Sequence, residues 1–119
     1  MSALNTFGAI LTYAIDLEGQ IGDYYRAIES PRAADADKRR SNLERVRREN
    51  VTEIKLEPIE GLNEADYTLN LSDTSAAGQQ AIEATAARFY VDTAPKLNVR
   101  EAQRALERAG RQHAELAAS

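Results

Sequence analysis

The first stretch of the chain repeats apolar residues at alternating intervals of three and four positions. Residues at this spacing lie along one face of an α-helix. Glu18 is the only charged member of the stripe, and burying it without a partner would cost several kcal/mol. The stripe runs through Leu4, Phe7, Leu11, Ala14, Glu18, Ile21, Tyr25 and Ile28.

Three later segments show related stripes, and prolines separate the segments from one another. Pro31, Pro58 and Pro95 mark the breaks, so we predict helices over 3–29, 31–57, 74–94 and 97–117. The second stripe is the weakest, with Ala36, Leu43, Val46, Asn50 and Ile54. The third has Ala76, Gln79, Glu83, Ala86 and Tyr90, and the fourth has Val99, Ala102, Leu106, Ala109, His113 and Leu116.

The first helix pair matches the second in sequence. The motif formed by Glu18, Ile21, Tyr24 and Tyr25 recurs as Glu83, Ala86, Phe89 and Tyr90. Residues 43–50 match residues 106–113 at nearly the same shift, which would place Asn50 over His113. A Leu-Glu-Arg triplet recurs by chance in many helical proteins. Because the glutamate and the aromatic pair recur with it in matching order, we favour duplication of one helical hairpin.

The connection between the two helix pairs is long enough to cross a bundle. Residues 58–73 are punctuated by Pro58, Gly61 and several Asn and Asp residues, which is typical of a loop. Sixteen extended residues reach at most about 53 Å, whereas a helix of 23 residues is about 35 Å long. We therefore predict one domain over 1–119, with helix pairs at about 3–57 and 74–117 joined by a crossover at 58–73.

A glutamate followed three residues later by a small or apolar residue, and six and seven residues later by an aromatic pair, resembles the first and third helices of ferritin-like and rubrerythrin-like proteins. The resemblance implies an all-α, ferritin-like four-helix bundle. In that family two helices each give one glutamate to a di-iron site, and the other two each give a Glu-x-x-His pair.

Carried onto this chain, the resemblance gives an incomplete ligand set. Glu18 and Glu83 match the two single glutamates, and the Glu-x-x-His pairs fall at Arg47 with Asn50 and at Gly110 with His113. Glu18, Glu83 and His113 remain as candidate metal ligands. Arg47 would repel a cation and could replace the metal as counter-ion to the two carboxylates. The resemblance thus implies a degenerate, metal-free polar cluster of Glu18, Arg47, Asn50, Glu83 and His113, with a reduced iron or other divalent-metal site as the alternative. A third alternative is that these positions do not correspond to the ligand positions of the family.

The composition excludes several classes of functional site and partner. The chain has no cysteine and a single histidine, which excludes a disulfide framework, a thiol nucleophile and any site that needs two imidazoles. Six cations crowd positions 38–48, but the net charge of −4 and the absence of interleaved aromatic residues argue against nucleic acid. The apolar run 7–17 is too short for a membrane span. We expect a cytoplasmic, non-catalytic protein that forms a homo-oligomer, most simply a dimer, through the apolar residues off the stripes: Ile10, Leu17, Tyr24 and Phe89.

Overall fold

The computed structural model describes residues 4–50 and 59–119. These residues contain four α-helices, two 3-10 helices and no strand. The α-helices are α1 (Phe7–Ala27), α2 (Arg32–Glu49), α3 (Ala76–Thr93) and α4 (Arg100–Ala118). The prediction of an all-α chain with four helices is confirmed. The last predicted turns of the second helix, with Ile54, and the start of the crossover at Pro58 lie outside the described residues.

The chain divides into two compact units, Met1–Gly61 and Leu62–Ser119. In the first unit α1 packs against α2, and we call this pair hairpin 1. In the second unit α3 packs against α4, and we call this pair hairpin 2. Each hairpin is described by itself below. The ferritin-like arrangement of the four helices stays a prediction.

A tight turn joins the two helices of hairpin 1. Thr6 begins α1, because its side-chain oxygen accepts a hydrogen bond from the backbone N–H of Ala9 at 3.0 Å. After α1, Glu29 adopts a positive φ of 56°. The backbone N–H of Ser30 then donates to the Tyr25 carbonyl at 2.9 Å, and that of Glu29 donates to the Arg26 carbonyl at 3.1 Å. This pair of bonds is the Schellman motif, which reverses the chain into α2.

Hairpin 2 has a longer connection. Ser75 caps α3 by accepting from the N–H of Gly78 at 3.2 Å. Pro95 stands at the end of α3, where the chain passes into the 3-10 helix Ala94–Lys96 and then through the buried Leu97 to α4. Since proline cannot continue the α-helical hydrogen bonding, the break falls where the sequence predicts it.

Part of the predicted crossover is attached to α3. It contains the 3-10 helix Glu64–Tyr67, whose Tyr67 is buried. The Tyr67 hydroxyl donates to Asp92 Oδ2 at 2.7 Å, and the Arg88 guanidinium lies 5.7 Å from the centre of the Tyr67 ring. Arg88 also donates to the Asp66 carbonyl. The end of the crossover is therefore held against hairpin 2 by side-chain contacts rather than left as plain loop.

The stripes predicted from the sequence supply much of the buried interior. All residues of the first stripe from Leu4 to Tyr25 are buried, and Ile28 is partly buried. The expectation of an exposed apolar patch off the stripes is wrong, because Ile10, Leu17, Tyr24 and Phe89 are all at most 6% exposed. Among the described residues, only Leu71 and Val91 are large hydrophobic residues with exposed side chains. No helix of the described residues is long and apolar enough to cross a membrane.

Candidate functional site

Hairpin 1 buries one carboxylate and one guanidinium side by side. Glu18 of α1 is fully buried, and Arg39 of α2 is 6% exposed. Nε of Arg39 donates a hydrogen bond to Glu18 Oε1 at 2.8 Å. The two charges are compensated within the hairpin, since a guanidinium stays protonated at any physiological pH.

The predicted counter-ion was a different arginine, and this part of the prediction is wrong. Arg47 is exposed, whereas Arg39 lies beside Glu18. The two arginines differ in their position around the axis of α2, and this position decides which of them faces α1. Arg39 follows Ala36 by three residues and precedes Leu43 by four, so it completes the buried stripe of α2, whereas Arg47 directly follows the buried Val46 and points outward. The gap between Ala36 and Leu43 in the second stripe was the signal that sequence reasoning missed.

Asn50 is buried, as the sequence predicts, at the end of α2. Its side-chain Nδ2 donates to the Val46 carbonyl at 2.8 Å, and its backbone N–H bonds to the same oxygen. It therefore helps to close the last turn of the helix. The basic partner of the buried glutamate in hairpin 1 is Arg39, whereas Asn50 bonds within its own helix.

Hairpin 2 buries the second glutamate against the only histidine. Glu83 of α3 and His113 of α4 are both fully buried, and His113 Nδ1 lies 3.0 Å from Glu83 Oε2. The two atoms are within hydrogen-bond distance, and when the carboxylate is ionised it can only accept, so that Nδ1 is then the donor. The sequence identified both residues, and the structure brings them together.

An aromatic ring and a glycine fix the imidazole of His113. The Tyr90 ring stacks on it at a centroid distance of 5.7 Å with 7° between the planes. Gly110 of α4 allows this approach, because a Cβ at that position would lie 2.9 Å from the Tyr90 Cβ. Gly110 is therefore where the backbone of α4 comes close to α3, which explains a glycine in the middle of a helix.

The residues present do not fit the di-metal centre that the ferritin-like resemblance implies. Such a centre needs several carboxylates facing the cations. Glu18 instead bonds a permanently charged guanidinium, which would repel a metal ion at the same oxygen atoms. Among the described residues, no three His, Cys, Asp or Glu side chains form a group that could hold a metal ion.

The chain has also been compared with known proteins. No protein-family model, no curated protein and no solved structure matches it.

Proposed function

We propose that the chain is a non-catalytic helical module that acts by association, as a homo-oligomer or as a subunit of a larger assembly. The observation that carries the proposal is the state of the two buried glutamates. Each one is bonded to a basic side chain of its own hairpin: Glu18 to Arg39 and Glu83 to His113. Carboxylates held in this way serve to compensate charge and to fix helix pairing, which is structural work.

The proposal includes a ferritin-like bundle that arose by duplication of one hairpin. Corresponding aromatic pairs support the duplication. The rings of Tyr24 and Tyr25 lie 5.1 Å apart at 75°, and those of Phe89 and Tyr90 lie 5.1 Å apart at 74°. In each hairpin the glutamate that precedes the pair contacts a basic residue of the following helix.

The basic partners do not stand at equal distances from their glutamates along the chain. Arg39 follows its glutamate by 21 residues, and His113 follows its own by 30. The connection between the helices is only two residues longer in hairpin 2 (94–99 against 28–31), so Arg39 and His113 stand at different depths along α2 and α4. The proposed duplication therefore rests on the matches of 18–25 with 83–90 and of 43–50 with 106–113, and not on an equivalence of Arg39 with His113.

A metal-binding protein is the alternative, with iron or another divalent metal held by Glu18, Glu83 and His113. One observation favours it: a carboxylate that accepts from one ring nitrogen of a histidine is the arrangement that commonly orients a metal-binding imidazole, and Glu83 makes this contact with His113. The contact in hairpin 1 disfavours it, because Arg39 lies against the first of the three ligands.

Metal analysis of the protein separates the two functions. The full chain is purified without chelator, and its metal content and melting temperature are measured before and after treatment with EDTA. The non-catalytic module should carry less than one equivalent of metal and melt at the same temperature after EDTA. A stoichiometric metal that resists dialysis, is lost in Glu83→Gln, and raises the melting temperature would instead establish the metal protein. A cytoplasmic location is part of the same proposal and agrees with the absence of cysteine.

A further inference from the structure

Two of the six asparagines of the chain stand two residues before a serine or threonine, with no proline between them. They are Asn50, which precedes Thr52, and Asn70, which precedes Ser72. In this sequence pattern the side-chain amide of the asparagine accepts an N-linked sugar. Because so short a pattern also occurs by chance, the surroundings of each asparagine decide whether its amide can react.

The pattern at Asn70 lies on the surface of hairpin 2. Every residue from Asn70 to Ala77 is exposed, and the intervening Leu71 is 40% exposed. Between the 3-10 helix that ends at Tyr67 and the start of α3 at Ala76, the chain is neither helix nor strand. An enzyme can therefore contact the asparagine and its neighbours without unfolding a helix.

Ser72 is bonded to the amide oxygen of Asn70. Its backbone N–H donates to Asn70 Oδ1 at 3.2 Å, and its hydroxyl donates to the same oxygen at 2.7 Å. Asn70 Nδ2 donates to no residue in 4–50 or 59–119, so the nitrogen that would bond a sugar is accessible. Two donors at Oδ1 stabilise the negative charge that develops on the amide when Nδ2 loses a proton.

Asn50 has the same sequence pattern in a different environment. It is 9% exposed, and its Nδ2 donates to the Val46 carbonyl at 2.8 Å. The nitrogen that would have to react is therefore engaged at the end of α2. Thr52, the second half of the pattern, lies outside the described residues. Asn50 thus provides a comparison within the same folded chain.

We infer that Asn70 is the acceptor of an N-linked glycan. The donor is a glycosyl phosphate, in which the anomeric carbon of a sugar is bonded to the phosphate of a nucleotide or of a lipid. Asn70 Nδ2 forms a bond to the anomeric carbon, while the bond from that carbon to the phosphate oxygen breaks and the phosphate leaves with its electron pair. A basic group of the transferase takes the proton from Nδ2.

The inference goes beyond the proposed function and does not rest on it. It needs only the exposed segment around Asn70, whereas the proposed function depends on the buried glutamates. A nucleotide-linked donor is water-soluble and compatible with the proposed cytoplasmic location, whereas a lipid-linked donor requires a membrane. Metal content and the effect of EDTA do not involve Asn70, so a failure of either idea leaves the other standing.

Incubation of the folded full chain with two transferases tests the inference. One reaction contains UDP-glucose and a soluble N-glycosyltransferase, and the other contains a lipid-linked oligosaccharide and a purified oligosaccharyltransferase. We expect the sugar on the tryptic peptide 56–88, which contains Asn70, and not on the peptide 49–55, which contains Asn50. The reaction that succeeds identifies the donor. Synthetic peptides of residues 44–56 and 64–76 are the control, and both should be modified because neither is folded.

Variants of the segment assign the reaction to the pattern. Ser72→Ala should lower the rate of transfer to Asn70 about tenfold or more, because both the pattern and the hydroxyl donor are lost. Ser72→Thr should retain the transfer. Thr74→Ala removes a hydroxyl from the same exposed segment outside the pattern and should leave the rate unchanged. Circular dichroism melting of each variant verifies that a lost reaction is not a lost fold.

Three results would overturn the inference. One is modification of the synthetic peptide 64–76 without modification of Asn70 in the folded chain, because the folded segment would then not fit a transferase. Another is equal modification of Asn50 and Asn70 in the folded chain, because burial would then not govern the reaction. The third concerns the chain isolated from the cells that produce it. Its tryptic peptide 56–88 should carry the sugar, and an unmodified peptide would exclude the site.

Discussion

Arg39 donates from Nε to Glu18 Oε1 across the interface of α1 and α2, with both side chains almost fully removed from solvent. Two opposite charges in such a place stabilise little relative to an apolar pair, because each was dehydrated on folding. Removing only one of them is costly, since the other is then buried without compensation. The hairpin therefore depends on both residues being present together.

We expect Arg39→Ala to destabilise the chain by about 3–5 kcal/mol, because it leaves the Glu18 carboxylate buried without its guanidinium. Arg47→Ala removes the same functional group from an exposed position and should change the free energy of unfolding by no more than about 0.5 kcal/mol. Urea unfolding followed by circular dichroism measures both values. Equal effects of the two variants would mean that the ion pair has been assigned to the wrong arginine.

The double variant E18L/R39L completes this test. It replaces the ion pair by two apolar side chains, and we expect it to be more stable than Arg39→Ala and close to the wild type. A double variant that is less stable than Arg39→Ala would show that Glu18 contributes to stability separately from its pairing with Arg39.

The helices could be predicted from the sequence because their signals are local. The spacing of Leu11, Ala14, Glu18 and Ile21 places these residues on one face of α1, and all four are buried. Pro95 stops α3, where the chain leaves the α-helix. The positive φ at Glu29 could not be foreseen, because the Schellman turn normally uses glycine there and the sequence offers a glutamate.

The candidate site could be predicted only in part, for a reason that concerns charge. Glu18 and His113 were found because each is the only strongly polar member of its stripe, and Glu83 because its motif repeats that of Glu18. Arg39 was missed because it stands in a run of exposed cations, so its charge gave no contrast with its neighbours. The spacing of Arg39 from Ala36 and Leu43 places it on the buried face of α2. This spacing alone indicates that Arg39, and not Arg47, is the partner of Glu18.

His113 should be as necessary to hairpin 2 as Arg39 is to hairpin 1. We expect His113→Ala to cost about 3 kcal/mol or more, because it leaves Glu83 buried without its hydrogen-bond donor and removes the ring that stacks on Tyr90. His113→Gln retains an N–H donor and should recover part of the loss. Thermal melting of both variants beside the wild type provides the measurement. A His113→Gln variant no more stable than His113→Ala would show that the hydrogen bond to Glu83 contributes little.

Tyr67 should make the stability of hairpin 2 sensitive to alkaline pH. Burial, followed by the hydrogen bond to Asp92, raises the pKa of the Tyr67 hydroxyl above its usual value. An unfolded chain would lose this proton near pH 10, whereas the folded chain keeps it. The contribution of the group is therefore fully present below about pH 10 and is lost as the pH rises further.

Tyr67→Phe removes the hydroxyl and provides the test. At pH 7 we expect a loss of about 1 kcal/mol from the hydrogen bond to Asp92. Between pH 9 and pH 12 the wild type should lose stability more steeply than Tyr67→Phe, in unfolding curves recorded at each pH. Parallel curves for the two proteins over that range would contradict a raised pKa at Tyr67.

Gly110 should tolerate no side chain, although it stands in the middle of a helix. Alanine has a helix propensity about 1 kcal/mol better than glycine, but its Cβ at this position would lie 2.9 Å from the Cβ of Tyr90, an atom attached directly to the backbone of α3. The helices must separate to relieve this contact, and such overpacking costs about 1–3 kcal/mol. Gly19→Ala is the control, because its Cβ would meet only the flexible end of Arg40 at 3.6 Å. We therefore expect Gly110→Ala to lower the melting temperature and weaken the near-ultraviolet signal of Tyr90, and Gly19→Ala to raise the melting temperature. A stabilised Gly110→Ala variant would show that α3 and α4 are farther apart at this point than the structure has them.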